Sequence, residues 1–147
     1  MDVEIIKKLR DETGAGVMDA KEALEQSKGD YESAKKYLRE KGVKKAEKKA
    51  EREIKAGRIF SYIHGGRVGS LVKVGCETDF VSKNEEFQKL GNEIAMQVAS
   101  MAPETIEELL DQAYIRDASK TIRDLITDVI SKTGENITIA DIIRYEV

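Results

Sequence analysis

The first third of the chain repeats a short helical pattern three times. Apolar residues recur there at three- and four-residue steps, as they do along the buried face of a helix. The three sets are Val3, Ile6 and Leu9, then Ala20, Ala23 and Leu24, and finally Tyr31, Ala34, Tyr37 and Leu38. Glycines follow the sets at Gly14, Gly29 and Gly42, where their conformational freedom suits the end of a helix. We therefore predict a domain of three helices over residues 1–42.

A charged segment with few apolar residues follows this domain. Residues 43–57 read VKKAEKKAEREIKAG, which favours a helix by propensity but leaves only a thin apolar line. Between Lys41 and Arg58 there are eight basic and three acidic residues. We interpret the segment as an exposed linker helix with Glu/Lys pairs four residues apart. The alternative is an RNA-binding arm formed by Lys44, Lys45, Lys48 and Lys49.

Beyond the linker, alternating apolar and polar residues predict strands. Residues 58–64 and 68–74 alternate on either side of Gly65-Gly66, a dipeptide typical of a hairpin turn. Residues 137–147 alternate as well and predict a third strand. The residues expected on one face of that strand are Ile137, Ile139, Ile143, Tyr145 and Val147. Asp141 falls on the same face, so we expect a β-bulge or a strand edge there.

Helical spacing returns between the hairpin and the last strand. One apolar set precedes Pro103, which ends its helix and suits the start of a short helix over residues 104–110. A second set follows Ser119, a candidate N-cap, and ends before Gly134. The two sets are Phe87, Leu90, Ile94, Val98 and Met101, and Ile122, Leu125, Ile126, Val129 and Ile130. The chain therefore predicts an α+β fold, with a three-stranded antiparallel sheet packed with helices over residues 58–147.

Composition narrows the class of protein. The chain has 147 residues, 5% of them aromatic, and a net charge of −3, so its overall charge does not attract nucleic acid. No apolar run approaches the roughly 18 residues of a membrane span, and the first residues are charged rather than apolar. We therefore expect a cytoplasmic protein that contacts neither a membrane nor nucleic acid directly.

Few residues are suited to chemistry. Cys76 and His64 are the single cysteine and the single histidine, so the chain has no second thiol for a disulfide and no second histidine for a metal site. A Cys/His nucleophile pair is formally possible, but Cys76 continues an apolar face of its strand, which favours a buried role. Residues 13–16 contain glycines but lack the lysine and the spacing of a phosphate-binding loop. We predict no enzyme activity, metal or cofactor.

The segment between the hairpin and the next helix is the most informative one. It reads CETDFVSKN over residues 76–84 and places Phe80 among charged and hydroxyl side chains at a predicted polar turn. Phe80 is either a staple that packs back on the helix starting near Asn84 or an exposed anchor for a pocket in a partner. The residues alone leave both interpretations open.

Two motifs resemble those of a known family. The family is elongation factor Ts, the guanine-nucleotide exchange factor of elongation factor Tu, and the similar segments begin at Leu9 and Cys76: LRDETGAGVMDAKEALEQSKGDYESAKKYLREKG and CETDFVSKNEEF. Residues 64–69, 133–136 and 144–147 also resemble the core of that family. The resemblance implies a factor that binds elongation factor Tu with GDP and promotes GDP release and GTP loading during translation.

The resemblance also implies where the partner is contacted. Residues 1–42 are expected to form a ubiquitin-associated-like domain that touches the nucleotide-binding domain of elongation factor Tu through Arg10, Val17 and Met18. Residues 58–147 are expected to form a core domain of the dimerisation type. One loop of that domain is expected to intrude near the partner's magnesium and phosphate site, and its residues are Thr78, Asp79, Phe80 and Val81. The resemblance thus favours the anchor interpretation.

The chain departs from the family pattern in three respects. Val17 stands where Met is usual, and Gly75 stands where Asn is usual. The long helical insertion that family members generally carry after the helix ending at Met101 is lacking, and with it the second core subdomain of many members.

Because a three-stranded sheet leaves two unpaired edges and its last strand is apolar, we expect two copies to pair through the core as a homodimer.

Overall fold

The structure is a computed structural model that describes residues 2–147; Met1, the first residue of the predicted N-terminal domain, lies outside the described residues. Over this range the chain forms seven helices and five strands, which confirms the predicted α+β fold. In chain order they are α1 (Val3–Thr13), α2 (Val17–Gln26), α3 (Tyr31–Lys49), β1 (Ala56–His64), β2 (Val68–Cys76), α4 (Asp79–Ser82), α5 (Glu85–Met101), α6 (Ile106–Asp111), β3 (Ala113–Tyr114), β4 (Asp117–Thr121), α7 (Ile122–Thr133) and β5 (Thr138–Glu146). Of these helices, none combines the length and the apolar character needed to cross a membrane.

Helices α1, α2 and α3, the N-terminal module, pack around a small core. Asp2 and Asp30 cap α1 and α3, each accepting a hydrogen bond from a backbone N–H group in the first turn. The buried apolar residues are Ile6, Leu9, Ala20, Ala23, Leu24, Ala34 and Leu38. Because three of these are alanines, the helices approach closely but bury little apolar area, so the core stabilises the module only modestly.

Helix α3 does not end at Gly42, where the sequence pattern predicts its end, but continues to Lys49. Gly42 is buried where α3 crosses α7, and a Cβ at this position would lie 3.0 Å from Ser131 Oγ. The glycine therefore allows a close helix crossing instead of ending a helix. The separate linker helix predicted over residues 43–57 is wrong, because α3 includes its first half and β1 begins at Ala56. The domain boundary placed at residue 42 stays a prediction.

The main sheet is antiparallel, in the order β1-β2-β5, and α5 lies across its inner face. Gly91 of α5 faces Phe60 of β1, and a Cβ at Gly91 would overlap the phenylalanine ring. The glycine is therefore required for the close approach of the helix to the sheet. The residues buried between the sheet and the helices are Phe60, Val72, Val74, Cys76, Val81, Phe87, Leu90, Ile94, Ala95, Val98, Leu109, Ile122, Ile126, Val129, Ile130, Ile137 and Ile139.

A β-bulge near the start of β5 changes which residues face the core. The pairing with β2 skips Ala140, between Ile139 and Asp141, so the bulge expected near Asp141 is confirmed. The prediction of one continuous apolar face is wrong, because the extra residue inverts the alternation of the strand. The residues buried before the bulge are Ile137 and Ile139, and the residues exposed after it are Ile143, Tyr145 and Val147.

A second sheet, of two strands, lies between α6 and α7 and does not follow from the sequence pattern. It consists of β3 and β4. The buried amide of Gln97 holds β3, because it donates to the carbonyl oxygen of Ala113 and accepts from the N–H group of Ile115. Ser119 lies in β4, so its predicted role as the N-cap of α7 is wrong. Thr121 caps that helix instead, in a capping box.

Candidate partner-binding site

Phe80 lies on α4, a single helical turn between the main sheet and α5. Thr78 caps this turn, and its hydroxyl oxygen accepts a hydrogen bond from the N–H group of Val81 at 3.3 Å. Val81 points into the core and is 4% exposed, whereas the preceding side chain, Phe80, is turned outward and is 83% exposed. Asp79 is exposed beside it. The staple interpretation is therefore excluded, and Phe80 is an exposed aromatic on a short turn.

Glu135 holds the backbone that leads into this turn. Its Oε1 accepts hydrogen bonds from the N–H groups of Glu77 and Thr78 at 3.0 and 2.9 Å, and its Oε2 accepts one from the Thr78 hydroxyl at 2.7 Å. Glu135 follows Gly134, which ends α7 as predicted and whose left-handed φ of 76° turns the chain toward the sheet. We call these three hydrogen bonds the carboxylate clamp.

Asn136 binds the same region from the adjacent position. Its backbone N–H group donates to Glu77 Oε1 at 2.9 Å. Its buried side-chain amide donates to the carbonyl oxygens of Ala50 and Arg52 at 3.3 and 3.0 Å. The segment between α3 and β1 and the segment before α4 are therefore tied to one turn, between α7 and β5.

Cys76 and His64 lie at opposite ends of the hairpin. Cys76 pairs with Ala56 and His64 pairs with Val68, so the length of a strand, about 26 Å, separates them. Cys76 is fully buried, and this burial, followed by the charge of Glu135, raises the pKa of its thiol. A Cys/His nucleophile pair is therefore excluded. Within residues 2–147 no three His, Cys, Asp or Glu side chains are grouped so as to hold a metal ion.

The other predicted contact residues lie on either side of the turn between α1 and α2. Arg10 is in the last turn of α1, and Val17 and Met18 begin α2. All three are exposed, with Met18 at 74%. All three therefore lie near the turn between α1 and α2 along the chain, and their contact with a partner stays a prediction.

Ion pairs with α3 support the start of α2. Lys41 and Lys45 both lie close to Asp19, with Nζ to oxygen distances of 2.9 and 2.8 Å. Hydrogen bonds from Lys45 and then Lys41 lower the pKa of the Asp19 carboxyl. Lys45 is one of the four lysines of the alternative RNA-binding arm, so part of that basic segment serves contacts within the protein.

The N-terminal module reaches the core at α7. Lys132 lies across Gly14, where a Cβ would overlap the lysine side chain. The Nζ of Lys132 is 3.5 Å from an oxygen of Glu86, in the first turn of α5. Helix α7 therefore contacts the N-terminal module, and the turn that follows it carries the carboxylate clamp.

The sequence alone does not single out the clamp residues. Residues 133–136 stand out only as a motif similar to the family, and Glu77 stands out only as part of a polar turn. A short polar run between an apolar helix and an apolar strand is the available signal. It does not indicate Thr78 as the partner of Glu135, because their distance depends on how α7 packs against the sheet.

Comparison with known proteins shows which family has these features. The family model described as "Elongation factor TS" matches residues 77–147, which include the Phe80 turn and the carboxylate clamp. Elongation factor Ts of Leptospira biflexa is 40% identical over 190 residues, an alignment that covers 98% of this chain and 96% of that protein. The chain belongs to the elongation factor Ts family.

Further members of the family give the same result. Elongation factor Ts of Thermotoga neapolitana is 41% identical over 189 residues, covering 99% of this chain and 96% of the relative. That of Coprothermobacter proteolyticus is 41% identical over 187 residues, covering 96% and 95%. Each alignment is longer than the 147 residues of this chain, so the relatives contain residues that it lacks. This agrees with the predicted short form of the translation elongation factor.

Proposed function

We propose that the chain binds elongation factor Tu in its GDP-bound state and promotes the release of GDP, so that GTP can load. The exposure of Phe80 on a turn whose backbone is bound by Glu135 carries this proposal. Exposed aromatic side chains of this kind anchor protein interfaces, where they fill pockets in the partner. Exchange makes and breaks no covalent bond, so the chain acts as a binding protein and not as an enzyme.

The thermodynamic requirement for exchange is a difference in affinity. A factor that binds the empty partner more tightly than the GDP-bound partner must weaken GDP binding by the same ratio. A ten-thousandfold weakening requires about 5.5 kcal/mol. Burying one phenylalanine side chain contributes about 1.5–3 kcal/mol. Phe80 is therefore insufficient alone, and further contacts must take part.

Each predicted residue of the turn has a different role in this proposal. Phe80 enters a pocket of the partner, and the carboxylate of Asp79 disturbs the coordination of the magnesium ion beside the nucleotide. Thr78 caps the turn and links it to Glu135. Val81 lies in the core, so it positions the turn and does not contact the partner through its side chain.

The N-terminal module supplies the second contact. Arg10, Val17 and Met18 are exposed together and hold the nucleotide-binding domain of elongation factor Tu. Two contacts on one chain raise the effective concentration of the second contact once the first has formed. Val17 is 41% exposed, so this side chain remains available to the partner although the family usually has Met at this position.

The outer face of the main sheet is the proposed surface of a homodimer. Its exposed apolar residues are Ile59, Ile63, Leu71, Ile143, Tyr145 and Val147. Leu71 pairs with Ile143 across the two strands, so the patch continues from β2 to β5. We propose a second copy as the occupant of this face, because a twofold axis would place the patch against the same patch of the partner. Sedimentation at micromolar concentration should give a dimer, and Leu71→Lys should give a monomer; a wild-type monomer at every concentration would contradict this surface.

The release of fluorescently labelled GDP from elongation factor Tu tests the main proposal. With excess unlabelled GDP present to prevent rebinding, substoichiometric amounts of the chain should accelerate release of the label from all of the elongation factor Tu. Chelation of magnesium serves as the positive control for release. An unchanged rate with the chain in excess would refute the proposed function.

A further inference from the structure

The carboxylate clamp engages both oxygens of Glu135 with the segment before Phe80. One oxygen accepts from two successive backbone N–H groups, those of Glu77 and Thr78, and the other accepts from the Thr78 hydroxyl. The distances of 2.7–3.0 Å are typical of hydrogen bonds to a charged acceptor. The clamp therefore fixes the backbone where the chain leaves β2 and enters α4.

The Thr78 hydroxyl extends this restraint to the turn that carries Phe80. A hydroxyl has one proton to donate. Here the proton is donated to Glu135, which leaves a lone pair of the same oxygen for the N–H group of Val81. Because a four-residue helix is not stable by itself, α4 depends on this cap and on the burial of Val81.

The turn that carries Glu135 is itself restrained. Asn136 is buried, and its backbone N–H group donates to Glu77 Oε1. The side chain of Glu77 therefore binds the turn that contains Glu135, and the side chain of Glu135 binds the segment that contains Glu77. The side chain of Asn136 is also bonded to the carbonyl oxygens of Ala50 and Arg52. Because this turn is restrained, the Glu135 carboxylate is a fixed acceptor that holds α4 in one orientation.

We infer that Glu135 is a positioning residue for nucleotide exchange, which acts through Thr78 to present Phe80 and Asp79 to the partner in one conformation. The inference rests on the proposed function of the Phe80 turn. A turn that is already ordered loses less conformational entropy on binding than a mobile one. Glu135 therefore promotes exchange without contributing a contact of its own.

The rates of GDP release by four variants test this inference. The variants are Glu135→Ala, Glu135→Gln, Phe80→Ala and the double variant Glu135→Ala/Phe80→Ala. Glu135→Ala removes the clamp and should slow GDP release by about tenfold or more. Glu135→Gln keeps a carbonyl oxygen for the two backbone N–H groups but replaces the oxygen that accepts from the Thr78 hydroxyl with an NH2 donor, so its rate should lie between those of Glu135→Ala and the wild-type chain. Glu135→Ala should slow GDP release by a smaller factor in the Phe80→Ala background than in the wild-type chain, because part of its effect passes through Phe80 and part through Asp79. A wild-type rate in Glu135→Ala, or effects that multiply in the double variant, would overturn the inference.

Hydrogen exchange of the free chain provides a readout that does not require the partner. In Glu135→Ala the amides of Glu77, Thr78 and Val81 should lose protection, while those of Val72 and Val74 in the central strand should retain it. Unchanged protection at the first three amides would show that the clamp does not order the turn. If Glu135→Ala folds poorly, Thr78→Val removes the hydroxyl at similar shape and should reduce protection at Val81 and slow GDP release; wild-type behaviour of this variant would also refute the inference.

The rate of GDP release with the wild-type chain distinguishes a failure of the proposed function from a failure of the positioning role. If it does not accelerate GDP release, the proposed function fails and Glu135 has no exchange to support. If it accelerates GDP release and Glu135→Ala does so equally, the proposed function stands and only the positioning role is refuted.

Discussion

The two proposed contact surfaces are held in different ways. The Phe80 turn is anchored in a core of 17 buried residues through Val81, and the Glu135 carboxylate binds its backbone. The surface around Met18 belongs to a module with seven buried residues, three of them alanines. The support nearest to Met18 comes from ion pairs of Asp19, which are partly exposed.

This difference indicates different parts in one binding event. A turn ordered before binding suits a contact that must enter a pocket in a defined orientation. A module with few buried residues has a lower local stability, which suits a contact that mainly holds the partner. We therefore expect changes in the Phe80 turn to lower the maximal rate of GDP release and changes near Met18 to lower affinity.

The largest expected effect is that of Phe80→Ala. Because the side chain is 83% exposed, its loss should slow GDP release by about ten- to a hundredfold while the midpoint of thermal unfolding shifts little. Ile115→Ala is the matched control, since Ile115 is also an exposed apolar residue but lies in the turn between β3 and β4. Loss of folding with normal exchange by the folded fraction would show that Phe80 supports the core instead.

Alanine substitutions at two helix glycines compare the packing inside the core with the packing where the N-terminal module meets the core. Gly91→Ala places a Cβ against the Phe60 ring and should destabilise the protein by about 1–3 kcal/mol. At Gly42 the Cβ would meet two side-chain atoms, Ser131 Oγ at 3.0 Å and Thr127 Cγ2 at 3.8 Å, and alanine favours the helix by about 1 kcal/mol. Gly42→Ala should therefore be nearly neutral. Urea unfolding measures both, and a larger loss for Gly42→Ala would show that the contact between the module and the core is the more tightly packed region.

Met18→Ala tests the holding role of the N-terminal module. Removing this exposed side chain should raise the concentration of the chain that gives half-maximal GDP release by roughly fivefold, equivalent to about 1 kcal/mol of binding. The maximal rate should not change. Val3→Ala, which removes another exposed apolar side chain of the module, is the control. A fall in the maximal rate would contradict the division between holding and release.

The smallest expected effect concerns the Asp19 ion pairs. Hydrogen bonds from Lys45 and Lys41 lower the pKa of the Asp19 carboxyl below its ordinary value of 3.8, so the pairs stabilise the folded chain above that value. Their contribution is lost as the pH falls through the lowered pKa. Asp19→Asn should cost about 0.5–1 kcal/mol at pH 7, and the difference from wild type should shrink in acid and at high salt. Urea unfolding at several pH values measures it, and a difference independent of pH would show that charge is not the cause.

Much of the local structure follows from the sequence by itself. The helical steps around Leu9 and Ile94, the cap at Asp30 and the glycine at residue 134 depend on neighbours a few positions away. The motif CETDFVSKNEEF indicates the family, which the comparisons confirm. These features are predictable because hydrogen bonds and burial within one or two turns decide them.

Only the tertiary structure decided how these elements meet. Gly42 has the pattern of a helix end, yet α3 continues to Lys49 and lies close to α7 at this glycine, and the bulge at Ala140 sends Tyr145 outward although its spacing matches Ile139. The outward direction of Phe80 results from Val81 entering a core built by distant segments. Glu135 reaches Thr78 only because α7 and the sheet pack side by side. In each case the deciding partner is remote in the chain, and local periodicity carries no information about which remote residues come into contact.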